Sequence, residues 1–154
     1  MSNRLVRLRP VSASTATTEI TGSDQQLQLP ITGLVDGAGV AVDRSEYVFI
    51  ADYDKHVIFR YRKGASASTI WAGSYGVSGL ADGQGSAARF TNPTHLAVDR
   101  SGVLYVVDSG NNRVRRIDQN ANVYTVAAIP AVGADQIGGI AVDDSGTIYL
   151  VDNS

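Results

Sequence analysis

Apolar residues in this chain come in short runs, and polar turn residues separate the runs at a regular spacing. "GVAVDRSEYVFIAD" (Gly39–Asp52), "HLAVDRSGVLYVVD" (His95–Asp108) and "GIAVDDSGTIYLVD" (Gly139–Asp152) are one pattern written three times. Each copy has two aspartates nine residues apart: Asp43 and Asp52, Asp99 and Asp108, Asp143 and Asp152. The runs are rich in β-branched and aromatic residues, and "DRSG" or "DDSG" lies between them, so they predict two strands, a and b, joined by a tight turn. A third run follows, "HVIFRYRK" (His56–Lys63) and "NRVRRID" (Asn112–Asp118), which alternates apolar and basic residues as a half-exposed strand c should. A fourth, "STIWAG" (Ser68–Gly73) and "VYTVAA" (Val123–Ala128), predicts strand d. No segment shows helical periodicity. Four short antiparallel strands in a unit of about 44 residues are the mark of a β-propeller blade.

The residues that carry this pattern also resemble a known family. "AVDRSGVLYVVDSGNNRVRRID" (Ala97–Asp118) is similar to the repeat of the NHL propellers, and "AGSYGVSGLADGQGSAARFTNPTHLAVD" (Ala72–Asp99) looks like the linker between blades in many bacterial members. The resemblance spans about residues 33–154. It implies an all-β propeller. It leaves function open, because propellers host many functions.

The opening residues fit the same frame. "NRLVRLRP" (Asn3–Pro10) aligns with strand c, and "TTEITG" (Thr17–Gly22) aligns with strand d. Residues 1–22 would then supply strands c and d of a split blade, 39–73 a first complete blade, 94–128 a second, and 138–154 strands a and b of the split blade. Propellers remove their sheet edges by closing into a ring of roughly four to eight blades. Three blades per chain therefore predict a homodimer with six. Its interface would bring Arg4, Val6 and Leu8 against Tyr149, Val151 and Asp152. A segment cut from a longer propeller would have equally complementary ends.

Composition narrows the function classes. With 154 residues and 44% hydrophobic content the chain can bury one core. The absence of cysteine excludes disulfides and thiolate metal sites. No apolar run is long enough to span a membrane, and the first residues lack the apolar core of a secretion signal. The expected location is the cytoplasm or an assembled particle such as a virion.

Candidate chemistry is sparse. The aspartates that follow strand a read as turn formers. Asp108 is placed to pair with Arg113 on strand c, Asp152 would pair likewise with Arg4 across the subunit boundary, and His56 takes the arginine's place in the first unit. Ten of the thirteen Lys and Arg residues lie on c strands: Arg4, Arg7, Arg9, Lys55, Arg60, Arg62, Lys63, Arg113, Arg115 and Arg116. As a stripe they would suit an anionic partner, but a net charge of −2 and few interleaved aromatics argue against nucleic acid. His95 stands where the other copies have glycine, at the mouth of the expected central channel. It is a candidate metal ligand only if other groups join it, since zinc needs three or four protein ligands. No catalytic constellation and no cofactor motif is visible. Variable linkers on a rigid scaffold are where recognition resides, so Tyr53, Tyr75, Asp82, Gln84, Arg89 and His95 are the candidate binding residues. The expected function is a non-enzymatic scaffold that binds a protein or glycan through its inter-blade loops, as part of a larger assembly. The alternatives are a metal-dependent propeller enzyme resembling lyases or lactonases, and an RNA-binding propeller.

Overall fold

A computed structural model describes residues 31–129 and 136–153. Strands β1 (Gly37–Val42), β2 (Tyr47–Asp52), β3 (Val57–Arg62) and β4 (Thr69–Ala72) form a first antiparallel sheet in sequential order. The second sheet has five strands in the order β5-β9-β8-β7-β6, with β5 (Gly83–Gln84), β6 (Pro93–Val98), β7 (Leu104–Asp108), β8 (Arg113–Ile117) and β9 (Asn122–Ala128). Strands β10 (Ile137–Val142) and β11 (Ile148–Asp152) pair with each other. Described residues contain none of the strands expected over 1–22, so Arg4, Val6 and Leu8 lie outside them.

The repeat of the sequence is a repeat of backbone geometry. Asp43, Asp99 and Asp143 each accept two backbone N–H groups at one carboxylate oxygen, from the residues two and four positions on, at 2.8–3.0 Å. The side chain thus reinforces an a–b turn that backbone hydrogen bonds also close. The third residue after each aspartate has positive φ: Glu46 (64°), Gly102 (80°) and Gly146 (83°). Strand a is bulged at the same place in all three copies, beside Gly37, Pro93 and Ile137. Strand d is also bulged in both sheets, which leaves Trp71 as the extra residue in β4 and Val126 in β9.

The cores lie between sheets. Phe49, Ala51, Ile58 and Ala72 of the first sheet meet Leu96, Leu104, Val106, Ile117 and Val123 of the second. Val107 and Val114 meet Ile137, Ile140, Ile148 and Leu150 on the other side. Adjacent inner strands approach closely: a Cβ on Gly39 would stand 2.0 Å from the Thr94 carbonyl oxygen. Glycine at 39 is therefore a requirement of packing.

Two expectations about partners change. Asp108 does pair with β8, but through Arg115 at 2.8 Å and not through Arg113, whose guanidinium turns back to the Asn112 carbonyl. Arg113 lies directly across from Asp108 in the ladder, and Arg115 lies one diagonal step away on the same face. The longer diagonal reach suits an arginine. His56 does not hold the arginine's place either. It matches Asn112, and both occupy the left-handed region (φ 58° and 54°) ahead of strand c.

Candidate functional site

The linker from β4 to β6 is the largest irregular segment among the described residues. Phe90 within it is fully buried, and the linker also pairs with the start of the second sheet's outer strand. Ala81 and Arg89 pair with each other, and β5 then adds itself to β9, with Gly83 opposite Val123 and Gln84 opposite Asn122. A fifth strand so placed covers the edge that strand d would otherwise expose. Two residues of β5 carry too little pattern to be read as a strand.

Arg115 fixes this linker in place. Its side chain is fully buried. It donates to the carbonyls of Arg89 (2.9 Å) and Ala81 (2.8 Å) and to the carboxylates of Asp108 (2.8 Å) and Asp82 (2.9 Å). Phe90 lies under the guanidinium, 5.1 Å from ring centroid to Cζ. Burial raises the pKa of Asp108, against the opposing pull of Asn111, Thr91 and Arg115. At Asp82 burial pushes the same way, but the Thr125 and Arg115 hydrogen bonds outweigh it and hold the carboxyl below its usual value. Arg115 is therefore a structural cation inside the protein, and the expected basic stripe loses one of its members. Arg116 is instead drawn over the Tyr124 ring (4.9 Å), and Lys63 pairs with Glu46 at 3.0 Å.

The expected binding residues separate into two groups. Asp82, Gln84 and Arg89 are engaged in holding the linker: Asp82 accepts from Arg115 and Thr125, Gln84 donates to the Asn120 carbonyl, and Arg89 caps the carbonyls of Ser86 and Ala88. Tyr53 and Tyr75 keep exposed rings, and Tyr75 is steadied by donation from its hydroxyl to the Gly33 carbonyl at 2.9 Å. Val77 and Leu80 are exposed beside them in the linker. Sequence reasoning did not single out these two aliphatic residues, although an apolar residue in a glycine-rich linker was the available signal.

His95 is half-buried on inner strand β6, and burial lowers its imidazole pKa. Its Nδ1 lies 3.1 Å from the Thr94 hydroxyl. His56 is committed elsewhere, its Nδ1 accepting the Asn92 backbone N–H. No three His, Asp or Glu side chains converge as a metal cradle among the described residues. Tyr149 and Val151 are exposed on β11. No helix among the described residues is long and apolar enough to cross a membrane.

Residues 90–117 match the family model described as the NHL repeat. The chain is 35% identical over 114 residues to the NHL repeat-containing protein 2 of Gallus gallus, an alignment covering 72% of this chain and 15% of that protein. It therefore spans about one-seventh of that relative's length. Among solved structures it superposes with a TM-score of 0.62 and 21% identity on an auxiliary nutrient binding protein from Bacteroides thetaiotaomicron, covering 74% of this chain and 34% of the other. Virginiamycin B lyase from Staphylococcus aureus superposes with a TM-score of 0.55 and 14% identity, over 76% and 34% of the two chains. The structural likenesses establish an all-β fold of the propeller type, and the match over residues 90–117, together with the NHL repeat-containing relative, shows that this chain carries an NHL repeat.

Proposed function

We propose that this chain is a segment of an NHL propeller that works as a non-enzymatic interaction scaffold, offering the linker between its two complete sheets to a protein or glycan. The observation that carries the reading is the contrast within that linker. Its backbone is tied down by Arg115 and by the Ala81–Arg89 pair, while Tyr75, Val77 and Leu80 point outward with 45–51% of their surface exposed. Rigid aromatic and aliphatic groups on a fixed loop lose little entropy when a partner covers them. The nutrient-binding role printed for one structural neighbour is in keeping with such a surface. The lyase alternative draws on another neighbour, but His95 would need ligands from outside the described residues. The RNA alternative loses support with the burial of Arg115.

In this reading a second copy completes the ring. The exposed outer edge of β11, with Tyr149 and Val151, would pair with the strand expected over residues 3–10 of that copy and give six blades. Light scattering across a dilution series should then give twice the 16.2 kDa chain mass. For the binding role, glycan arrays and displayed peptide libraries should be screened against the wild type and the double variant Tyr75→Ser, Leu80→Ser. Ligands lost in a folded double variant support the linker surface. Ligands that survive it move the surface elsewhere. Stoichiometric bound metal that disappears in His95→Ala would replace the scaffold reading with the enzymatic one.

A further inference from the structure

The opposite end of the two sheets, where the a–b and c–d turns lie, holds a second feature that the linker reading does not use. A cleft of about 320 Å³ opens between the first and second sheets, with Arg44, Arg60, Trp71, Arg100, Asp118 and Gln119 among its walls. That volume is at the lower end of the range for small-molecule sites, roughly 300–1,000 Å³. Both walls are complete in this chain, so the cleft does not depend on ring closure.

Arg60 is the centre of the cleft. Its guanidinium carbon lies 3.5 Å from the Trp71 ring centroid and 4.6 Å from that of Tyr47. Trp71 is the bulge residue of β4, and a bulge redirects the side chain it carries. Among the described residues Arg60 has these ring contacts but no hydrogen bond and no ion pair. Burial lowers its pKa, while the nearby Tyr47 and Asp43 pull the other way. Cation–π contact orients a guanidinium without using its in-plane N–H donors. The fork of Arg60 is therefore held in position with its donors open to solvent and used by no side chain among the described residues.

The other charges of the cleft sharpen this imbalance. Asp43 accepts its own turn's N–H groups, and both Asp118 oxygens accept from Asn122. Arg100 is paired with Asp144 at 2.6 Å. Arg44, its counterpart in the first sheet, has no hydrogen bond or ion pair among the described residues. The Gln119 amide donates to the Ser101 carbonyl and braces the far wall. The acids at this site are tied into turns, Asp43 through Oδ1 alone, and two cations have no ion-pair partner among the described residues.

We propose that the cleft binds a small organic oxyanion, a carboxylate or phosphate, through the ring-held fork of Arg60 with Arg44 as a second cation. An oxyanion matches the fork geometry and returns to Arg60 the acceptors it lacks. The site is separate from the linker surface, and either can fail without the other.

Trp71 is the single tryptophan of the chain, so its fluorescence reports this cleft alone. The wild-type protein should be titrated with sodium phosphate, sodium glucuronate and sodium chloride at matched ionic strength. A saturable change is expected with phosphate or glucuronate and not with chloride, and the ion that saturates identifies the source of the oxyanion. Arg60→Gln should weaken the response about tenfold or more, the usual loss for a charge-assisted hydrogen bond. Arg60→Lys should weaken it too, because the charge remains but the fork is gone, and exposed Arg44→Gln should weaken it less. Circular dichroism of each variant confirms folding, and Arg44→Gln carries the test if Arg60 proves necessary for the fold. The same linear response to all three salts would overturn the proposal, as would wild-type affinity in a folded Arg60→Gln or, should that variant not fold, in Arg44→Gln.

Discussion

The two complete sheets solve one anchoring problem with different chemistry. In both, the aspartate that ends strand b is fully buried and accepts a backbone N–H from the chain entering strand a, at 2.7 Å from Val35 to Asp52 and 2.7 Å from Thr91 to Asp108. In the first sheet Asp52 also takes the N–H groups of Asp36 and Lys55. Phe59 fills the matching position on strand c, within an apolar cluster covered by Leu34. In the second sheet Arg115 stands where Phe59 does, and Phe90 stands where Leu34 does. The difference follows the linker. The segment entering the second sheet is longer, pairs with the start of the edge strand, and brings the half-buried carbonyls of Ala81 and Arg89 within reach of the Arg115 guanidinium, which adds to the bonds they already accept from each other's N–H groups. An apolar ring covers the first sheet's entry, and a multiple donor ties the longer entry of the second to the buried aspartate.

Removing Arg115 should break this comparison most severely. Arg115→Ala leaves the buried Asp108 carboxylate without its counter-charge, although Thr91 and Asn111 still donate to it, and loss of one member of a buried ion pair costs about 3–5 kcal/mol. Arg115→Phe copies the first sheet's residue but not its linker, so it should recover the packing and still leave Asp108 without a counter-charge and the linker without its side-chain tie. Denaturant unfolding would measure both. A cost below about 1 kcal/mol for Arg115→Ala, the scale of a surface substitution, would mean that water replaces the guanidinium and the linker is not pinned.

A smaller effect is expected at the inner strands, again as a contrast between copies. Gly39→Ala places a methyl group against the Thr94 carbonyl at 2.0 Å, and overpacking of this kind costs about 1–3 kcal/mol. The matching Gly139 has nothing within 4 Å of its Cβ position among the described residues, so Gly139→Ala should stay within about 0.5 kcal/mol. Equal losses at the two positions would show that β10 is covered in solution as β1 is covered by β6, as a closed ring requires.

How much of this was legible in the sequence depends on the range of the interaction. The strands, the a–b turns and the three-fold repeat are local: an aspartate followed by serine closes its own turn, and alternation sets which face is apolar. Asp43, Asp99 and Asp143 could therefore be assigned a role from spacing alone. The partner of Asp108 could not, because directly opposed and diagonal residues both face it and only side-chain reach selects Arg115. Nor could the role of Arg60, which depends on a bulge that turns Trp71 and on a neighbouring sheet 40 residues further along. Basic residues on strand c share one letter pattern and meet three fates: Arg115 is buried in a salt bridge, Arg116 lies on a tyrosine, and Arg60 is held between rings with its donors free.

The mildest contrast concerns the turns themselves and appears only in acid. All three a–b turns use the same aspartate, but where Asp99 adds one long contact from the Tyr105 hydroxyl at 3.5 Å, Asp143 adds two closer hydroxyl donors. Asp143 accepts from Ser145 Oγ at 2.6 Å and from Tyr149 Oη at 3.1 Å, besides two backbone N–H groups. The Ser145 hydroxyl contributes most to holding its pKa at about 2, below the ordinary 3.8. A carboxyl with a lowered folded-state pKa stabilises the fold fully above its unfolded value and loses that contribution as pH falls through the folded one. The contribution of Asp143 should therefore be complete above about pH 4 and fade toward pH 2. Asp143→Asn should bring the unfolding midpoints at pH 5 and pH 2.5 closer together than they are in the wild type, and Ser145→Ala should do so partially. The effect is small because the turn is open to solvent, and a variant with the wild-type acid dependence would assign acid sensitivity to other carboxylates.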